Sequence, residues 1–108
     1  METSVDAERG VFMISIAAEL AEMHPQTLRM YEARGLIAPK RSPKNTRLYS
    51  QRDVERLQRI QRMTSEGLNL AGVETVLGLE EEVKKLRAQL ERAGRRIEEL
   101  EARKERKS

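Results

Sequence analysis

Cysteine is absent from this chain, which removes disulfides, thiol redox switching and thiolate metal sites together. There is one histidine, His24, and a single imidazole does not make a metal centre. No Ser/His/Asp, Cys/His or paired-carboxylate constellation has the members it needs, so neither an enzyme nor a bound cofactor is expected. Aromatic residues are scarce, with one Phe, two Tyr and no Trp in 108 residues. That composition favours small helical packing over a broad sheet sandwich, and the length allows one small domain plus an appendage. Long apolar runs are missing as well. Val11 to Ile16 is too short for a signal-peptide core and is interrupted by Ser15, and no stretch approaches transmembrane length. A soluble cytoplasmic protein is expected.

What the chain has in quantity is charge, unevenly placed. From Arg29 to Arg52 there are seven basic residues (Arg29, Arg34, Lys40, Arg41, Lys44, Arg47, Arg52) against one acid, Glu32, while the whole chain carries only +3. The basic surplus is local. It surrounds the stretch His24 to Tyr49, whose left half reads as a short helix. Pro25 suits the first helical position, where its missing N–H costs nothing, and Gly35 suits the left-handed position just past the end. Leu28 and Tyr31 share one face, while Gln26, Arg29, Met30 and Ala33 lie on roughly the opposite one. Gln can read adenine, and Arg can read guanine or hold a phosphate. A basic surplus beside a short amphipathic helix is the electrostatic footprint of DNA binding.

Taken in order, residues 1–10 are polar and unpatterned, which predicts a disordered tail. Val11–Ile14 is either a small strand or the lead-in to a helix. Ser15 is placed as N-cap of that helix, with Ile16, Ala17, Leu20 and Ala21 on its packing face. Glu22-Met23-His24 then turns the chain into Pro25, giving a helix-turn-helix; a left-handed Glu22 would cost on the order of 1 kcal/mol. After Gly35, two prolines and Asn45 argue against helix, and the basic tip between short apolar ends predicts a projecting hairpin or loop, a wing. Ser50 and Asp53 form a capping-box-like pair opening a helix to about Glu66, with Val54, Leu57, Ile60 and Met63 or Thr64 buried. Gly67 ends it, and Asn69 caps the next, whose Leu70, Val73, Val76 and Leu77 close the core. From Val76 the period changes, with Gly78 expected to separate a fresh helix: Val76, Leu79, Val83, Leu86, Leu90, Ala93, Ile97 and Leu100 keep an unbroken 3,4 spacing, the seam of a coiled coil. A solvated single helix is the alternative. The expected division is a tail at 1–10, a DNA-binding domain at 11–77, a dimerisation helix at 78–103 and a frayed end at 104–108.

The run TLRMYEARGLIAPKR…NTRLYSQRDVERLQRIQRM resembles the MerR family of winged-helix transcription regulators. It does so most specifically through Thr27-Leu28-Arg29 leading to Tyr31-Glu32, Gly35-Leu36 with Pro39, and Arg47-Leu48-Tyr49. The resemblance extends over roughly Ile14 to Leu100. It implies a mainly α fold, in which a winged helix-turn-helix domain precedes a long helix that pairs two subunits in an antiparallel coiled coil. Within the family, HPQTLRMYE, NTRLYS and GLNLAGVETVLGLEEEV are similar to the HspR-type heat-shock repressors. That similarity implies repression of chaperone and protease genes from an inverted-repeat operator, with the DnaK chaperone as co-repressor.

Three departures matter. Asn45-Thr46 stands where many relatives have Gly-Tyr, Met30-Tyr31 stands where two tyrosines are common, and the cysteines of metal-sensing members are missing. Metal and large-drug sensing are therefore not expected, and no small-molecule ligand is. The candidate DNA contacts are Ser15, His24, Gln26, Thr27, Arg29, Met30, Tyr31 and Arg34 around the first two helices. Lys40, Arg41, Lys44, Asn45, Arg47 and Tyr49 are the candidates on the wing. His24 weighs more as an N-cap than as a base reader, and Asn45 can serve the turn alone. The candidate dimer contacts are Leu79, Val83, Leu86, Leu90, Ala93, Ile97 and Leu100. Two other classes remain open: a DNA-architectural or excisionase-like helix-turn-helix protein, and a coiled-coil adaptor.

Overall fold

The computed structural model describes residues 6–107. In chain order the elements are β1 (Gly10–Phe12), α1 (Ile14–Ala21), α2 (Pro25–Ala33), β2 (Lys40–Arg41), β3 (Arg47–Ser50), α3 (Gln51–Ser65) and α4 (Leu70–Lys107). The chain divides into two compact units between Val73 and Glu74. Among the described residues no helix is long and apolar enough to cross a membrane.

In the first unit, three helices and a small antiparallel sheet of order β1-β3-β2 enclose one core. The small side chains Ala17, Ala18 and Ala21 on α1 are buried, as are Leu28 and Tyr31 from α2, Tyr49 from β3, and Val54, Leu57, Ile60 and Met63 from α3. Leu36 and Ile37 follow α2 into the core, and Val73 is fully buried. Truncating a side chain as enclosed as Leu57 costs about 2–5 kcal/mol.

Three helices end in the same way. The N–H of Leu36 donates to the Tyr31 carbonyl (2.9 Å) and that of Gly35 to Glu32 (3.0 Å), with Gly35 left-handed at φ 79°. This crossed pair is the Schellman arrangement. It recurs after α3, where Leu68 donates to Met63 and Gly67 to Thr64. It recurs again after α1, where Met23 donates to Ala18 and Glu22 to Glu19, but there the left-handed residue is Glu22. Two other starts follow local chemistry. Ser50 and Asp53 exchange both bonds of a capping box, and the Asn69 side chain accepts from the Gly72 N–H at 2.8 Å.

Several expectations are corrected. The tail expected at 1–10 lies partly outside the described residues (1–5), but 6–10 are tied down. The Arg52 N–H donates to the Ala7 carbonyl at 2.9 Å, Glu8 pairs with Arg52 at 2.9 Å, and Gly10 opens β1. A Cβ at Gly10 would meet the Leu48 carbonyl oxygen at 2.9 Å, so the close approach of β1 to β3 requires glycine. Ser15 is not the N-cap. Met13 holds that position without a side-chain bond, because the strand pairing of Phe12 with Tyr49 delivers the chain into helix two residues earlier. Gly78 interrupts nothing: α4 runs through it, since a helical glycine costs only about 1 kcal/mol between good helix formers. The end expected to fray after Arg103 is helical to Lys107, and Ser108 lies outside the described residues.

In the second unit, α4 carries Leu79, Val83, Leu86, Leu90, Ile97 and Leu100 as exposed apolar side chains, with Ala93 exposed on the same stripe. On its outer face Arg96 reaches Glu99 at 3.5 Å.

Candidate nucleic-acid interface

The α2 helix begins where His24, in extended conformation, accepts the Gln26 N–H on its Nδ1 at 3.1 Å. Its back, Leu28 and Tyr31, is buried. Its front is a shallow groove lined by Gln26, Thr27, Arg29, Met30 and Ala33. On that front Arg29 NH1 donates to Gln26 Oε1 at 3.1 Å, so the amide and the guanidinium are already oriented as a pair. That bond uses the Gln26 amide oxygen and one Arg29 N–H, so the amide NH2 and the remaining guanidinium donors are not consumed by it. Arg34 closes the helix as its C-cap and is exposed. Ser15 sits in the first turn of α1, exposed.

The wing is the β2–β3 hairpin, with Lys40 opposite Leu48 and Arg41 opposite Arg47. Its tip turns at Pro43–Lys44. The Asn45 N–H donates to the Ser42 carbonyl (2.8 Å), the Ser42 N–H donates to Thr46 (2.9 Å), and Asn45 is left-handed at φ 66°. Asn tolerates that conformation, and a left-handed residue after such a turn restores strand pairing. Lys40, Lys44 and Asn45 are exposed there.

Two wing arginines are engaged. Glu32, on the flank of α2, accepts from Arg47 Nε on Oε1 and from Arg41 at 3.0 Å on Oε2. The bond from Arg47, first, and the charge of both arginines hold the Glu32 carboxyl below the usual carboxylate range. Arg41 and Arg47 therefore share one counter-charge. In the sequence Glu32 reads as the lone acid of the stretch and as part of the Tyr31-Glu32 motif, with no link to the wing. Arg56, also unremarked there, donates to the Leu36 carbonyl at 2.6 Å and ties the start of the wing loop to α3.

The two tyrosines separate. Tyr31 is nearly buried and Tyr49 wholly so, and burial raises both phenols above their ordinary value. Tyr49, expected at the DNA surface, is instead a core residue, because it lies on the face of β3 that packs inward. Its hydroxyl has no hydrogen-bond partner among the described residues. The structure thus gathers Gln26, Thr27, Arg29, Met30 and Arg34 on one helix, sets the wing beside it through Glu32, and removes Tyr49.

Residues 12–79 match the MerR HTH family regulatory protein profile. The chain is 46% identical over 79 residues to a protein of Streptomyces coelicolor described as heat shock protein HspR, covering 72% of this chain and 52% of that protein. It is 37% identical over 71 residues to the transcriptional regulator GlnR of Bacillus anthracis, covering 66% and 55% respectively. The chain spans about half the length of these relatives. Among solved structures it is similar to the transcription regulator PbrR691 of Ralstonia metallidurans in complex with lead(II). That likeness has a TM-score of 0.61 at 29% identity and covers 85% of this chain and 79% of that one.

Proposed function

Because the chain belongs to the MerR HTH family of regulatory proteins, we propose that it is a sequence-specific, DNA-binding transcription regulator in which α2 reads base edges in the major groove. The observation that carries this reading is the oriented Gln26–Arg29 pair on an exposed helix face whose opposite face is locked into the core. An amide can serve adenine and a guanidinium guanine, each contact discriminating by about 1–3 kcal/mol. Thr27, Met30 and Arg34 border the reading pair, and Ser15 and His24 lie close enough in sequence to meet the flanking backbone. Lys40 and Lys44 supply phosphate contacts from the wing.

The protein acts as a homodimer on an inverted repeat, through Leu79, Val83, Leu86, Leu90, Ala93, Ile97 and Leu100 of α4. Selecting bound duplexes from a random-sequence pool tests both statements. An inverted repeat is expected; a preferred site without dyad symmetry would favour an architectural protein, and no enrichment would leave a coiled-coil adaptor.

The regulated genes are those of the heat-shock response, with repression as the mode and the DnaK chaperone as co-repressor. Identity to the Streptomyces protein supports this reading. A partner that prefers the DNA-competent state must raise operator affinity by the same factor that DNA raises affinity for the partner. Operator binding is measured at normal and heat-shock temperature, with and without purified DnaK. DnaK is expected to tighten binding. Tight binding that ignores DnaK and is lost on heating alone would replace the chaperone by direct thermosensing, for which Ala93 and Gly94 offer a weak layer in mid-seam.

A further inference from the structure

Glu32 is the one acid in the basic stretch, and it faces two arginines that face each other. Arg41 and Arg47 are direct partners across the β2–β3 ladder. Like charges in that position repel. One carboxylate on α2 divides its two oxygens between them, and Arg41 adds a bond from NH1 to the Asn45 carbonyl at 3.3 Å. A guanidinium has five N–H donors in a fixed plane, so each arginine keeps donors to spare. Both side chains stay partly in solvent, 38% exposed for Arg41 and 30% for Arg47.

The three groups together carry one net positive charge, the complement of one phosphate. Their planes are set by Glu32 rather than by rotamer chance. The carboxylate also bonds the wing to the recognition helix itself, across nine and fifteen residues of chain.

We propose that Glu32 is a positioning residue that makes Arg41 and Arg47 into a single phosphate-gripping fork and locks that fork in register with the base-reading face of α2. The proposal rests on the DNA-binding reading above. Phosphate contacts fix where a protein sits on the duplex, and base contacts then decide sequence. Two unrestrained arginines would grip any phosphate within reach. Two arginines held by a residue of the reading helix grip the phosphate that places Gln26 and Arg29 over their bases. The carboxylate lowers general attraction for DNA and raises discrimination.

The test compares wild type, Glu32→Gln and Arg47→Lys on two duplexes: the one enriched by the wild type from a random pool, and a shuffled duplex of equal length and composition. Glu32→Gln is expected to bind the shuffled duplex more tightly, with a salt slope steeper by about one unit. Its preference for the enriched duplex should fall about tenfold, the scale of one hydrogen bond to a charged group. Arg47→Lys keeps every charge but cannot offer an Nε–H edge. It should leave shuffled binding and its salt slope unchanged while losing the same preference, and it carries the test if Glu32→Gln unfolds. An undiminished preference in Arg47→Lys, or an equal loss on both duplexes in a folded Glu32→Gln, overturns the proposal. A wild type that enriches no sequence overturns the DNA-binding reading and the proposal with it.

Discussion

Glu22 holds φ 57° and ψ 44° at the one of three matching helix ends that lacks glycine. A left-handed L-residue costs about 1–2 kcal/mol, and part of the relief on changing it is offset by the extra freedom glycine has when unfolded. Glu22→Gly should therefore stabilise the domain by about 0.5–1 kcal/mol in urea unfolding; a loss of stability would mean that the glutamate side chain matters more than its backbone. At Tyr49 the hydroxyl is enclosed without a partner among the described residues, a situation that costs about 1–3 kcal/mol. Tyr49→Phe should leave stability equal or higher and DNA affinity unaltered. A large drop in affinity would return Tyr49 to the DNA surface. Glu32 supplies a pH signature. Its carboxyl is held below the ordinary value by Arg47 and Arg41. Its contribution is then complete above the unfolded glutamate value of about 4.3 and lost as pH falls through the lower folded value. Thermal midpoints should fall as the pH drops below that unfolded value, and fall less steeply in Glu32→Gln than in the wild type.

Between elements, the division of labour is sharper than for single residues. The α2 face carries the oriented amide and guanidinium, while the wing tip carries Lys44 exposed on its turn. Gln26→Ala or Arg29→Ala should cost about 1–3 kcal/mol of specific binding and relax the preference at particular base pairs. Lys44→Ala should weaken all sequences alike and reduce the salt slope by about one unit. A changed preferred sequence in Lys44→Ala alone would reverse these roles. How far the elements could be read beforehand follows the range of the forces. The α2 start at Pro25, its end at Gly35, the Ser50–Asp53 box and the Asn69 cap were legible because each is decided within about five residues. The start of α1 was misplaced at Ser15, since β1 pairs with β3 from far along the chain and sets the entry at Met13. Gly78 was over-weighted as a breaker because local propensity is small against a long run of helix formers. The role of Glu32 was invisible in a charge count, because it exists only once the wing folds back onto α2.

For the whole molecule the deciding fact is the stripe on α4. Leu90 is 73% exposed and Leu79 60% exposed in the single chain, on a 3,4 spacing that a solvated helix has no reason to keep over 22 residues. Fully burying a large aliphatic side chain stabilises by about 1.5–3 kcal/mol. The six residues are 44–73% exposed, so about half of that gain is still open to each, and twelve of them from two chains supply about 9–18 kcal/mol, enough to offset the roughly 4–15 kcal/mol that association costs. A second copy of the chain is the natural cover, since an identical stripe is self-complementary about a two-fold axis. Leu90→Lys would put an ammonium group into the middle layer, where it must be desolvated without a partner. This variant should sediment as a monomer at micromolar concentration, while the wild type sediments as a dimer whose thermal midpoint rises with concentration. The first unit should keep its fold, because Leu90 lies outside it. Operator affinity should nevertheless collapse: a dyad site rewards two half-sites at fixed spacing, and a monomer forfeits the effective concentration that the tether provides. A wild type that is monomeric at micromolar concentration, or a monomeric Leu90→Lys that still binds the full inverted repeat as tightly, would remove α4 from the account of how this protein finds its site.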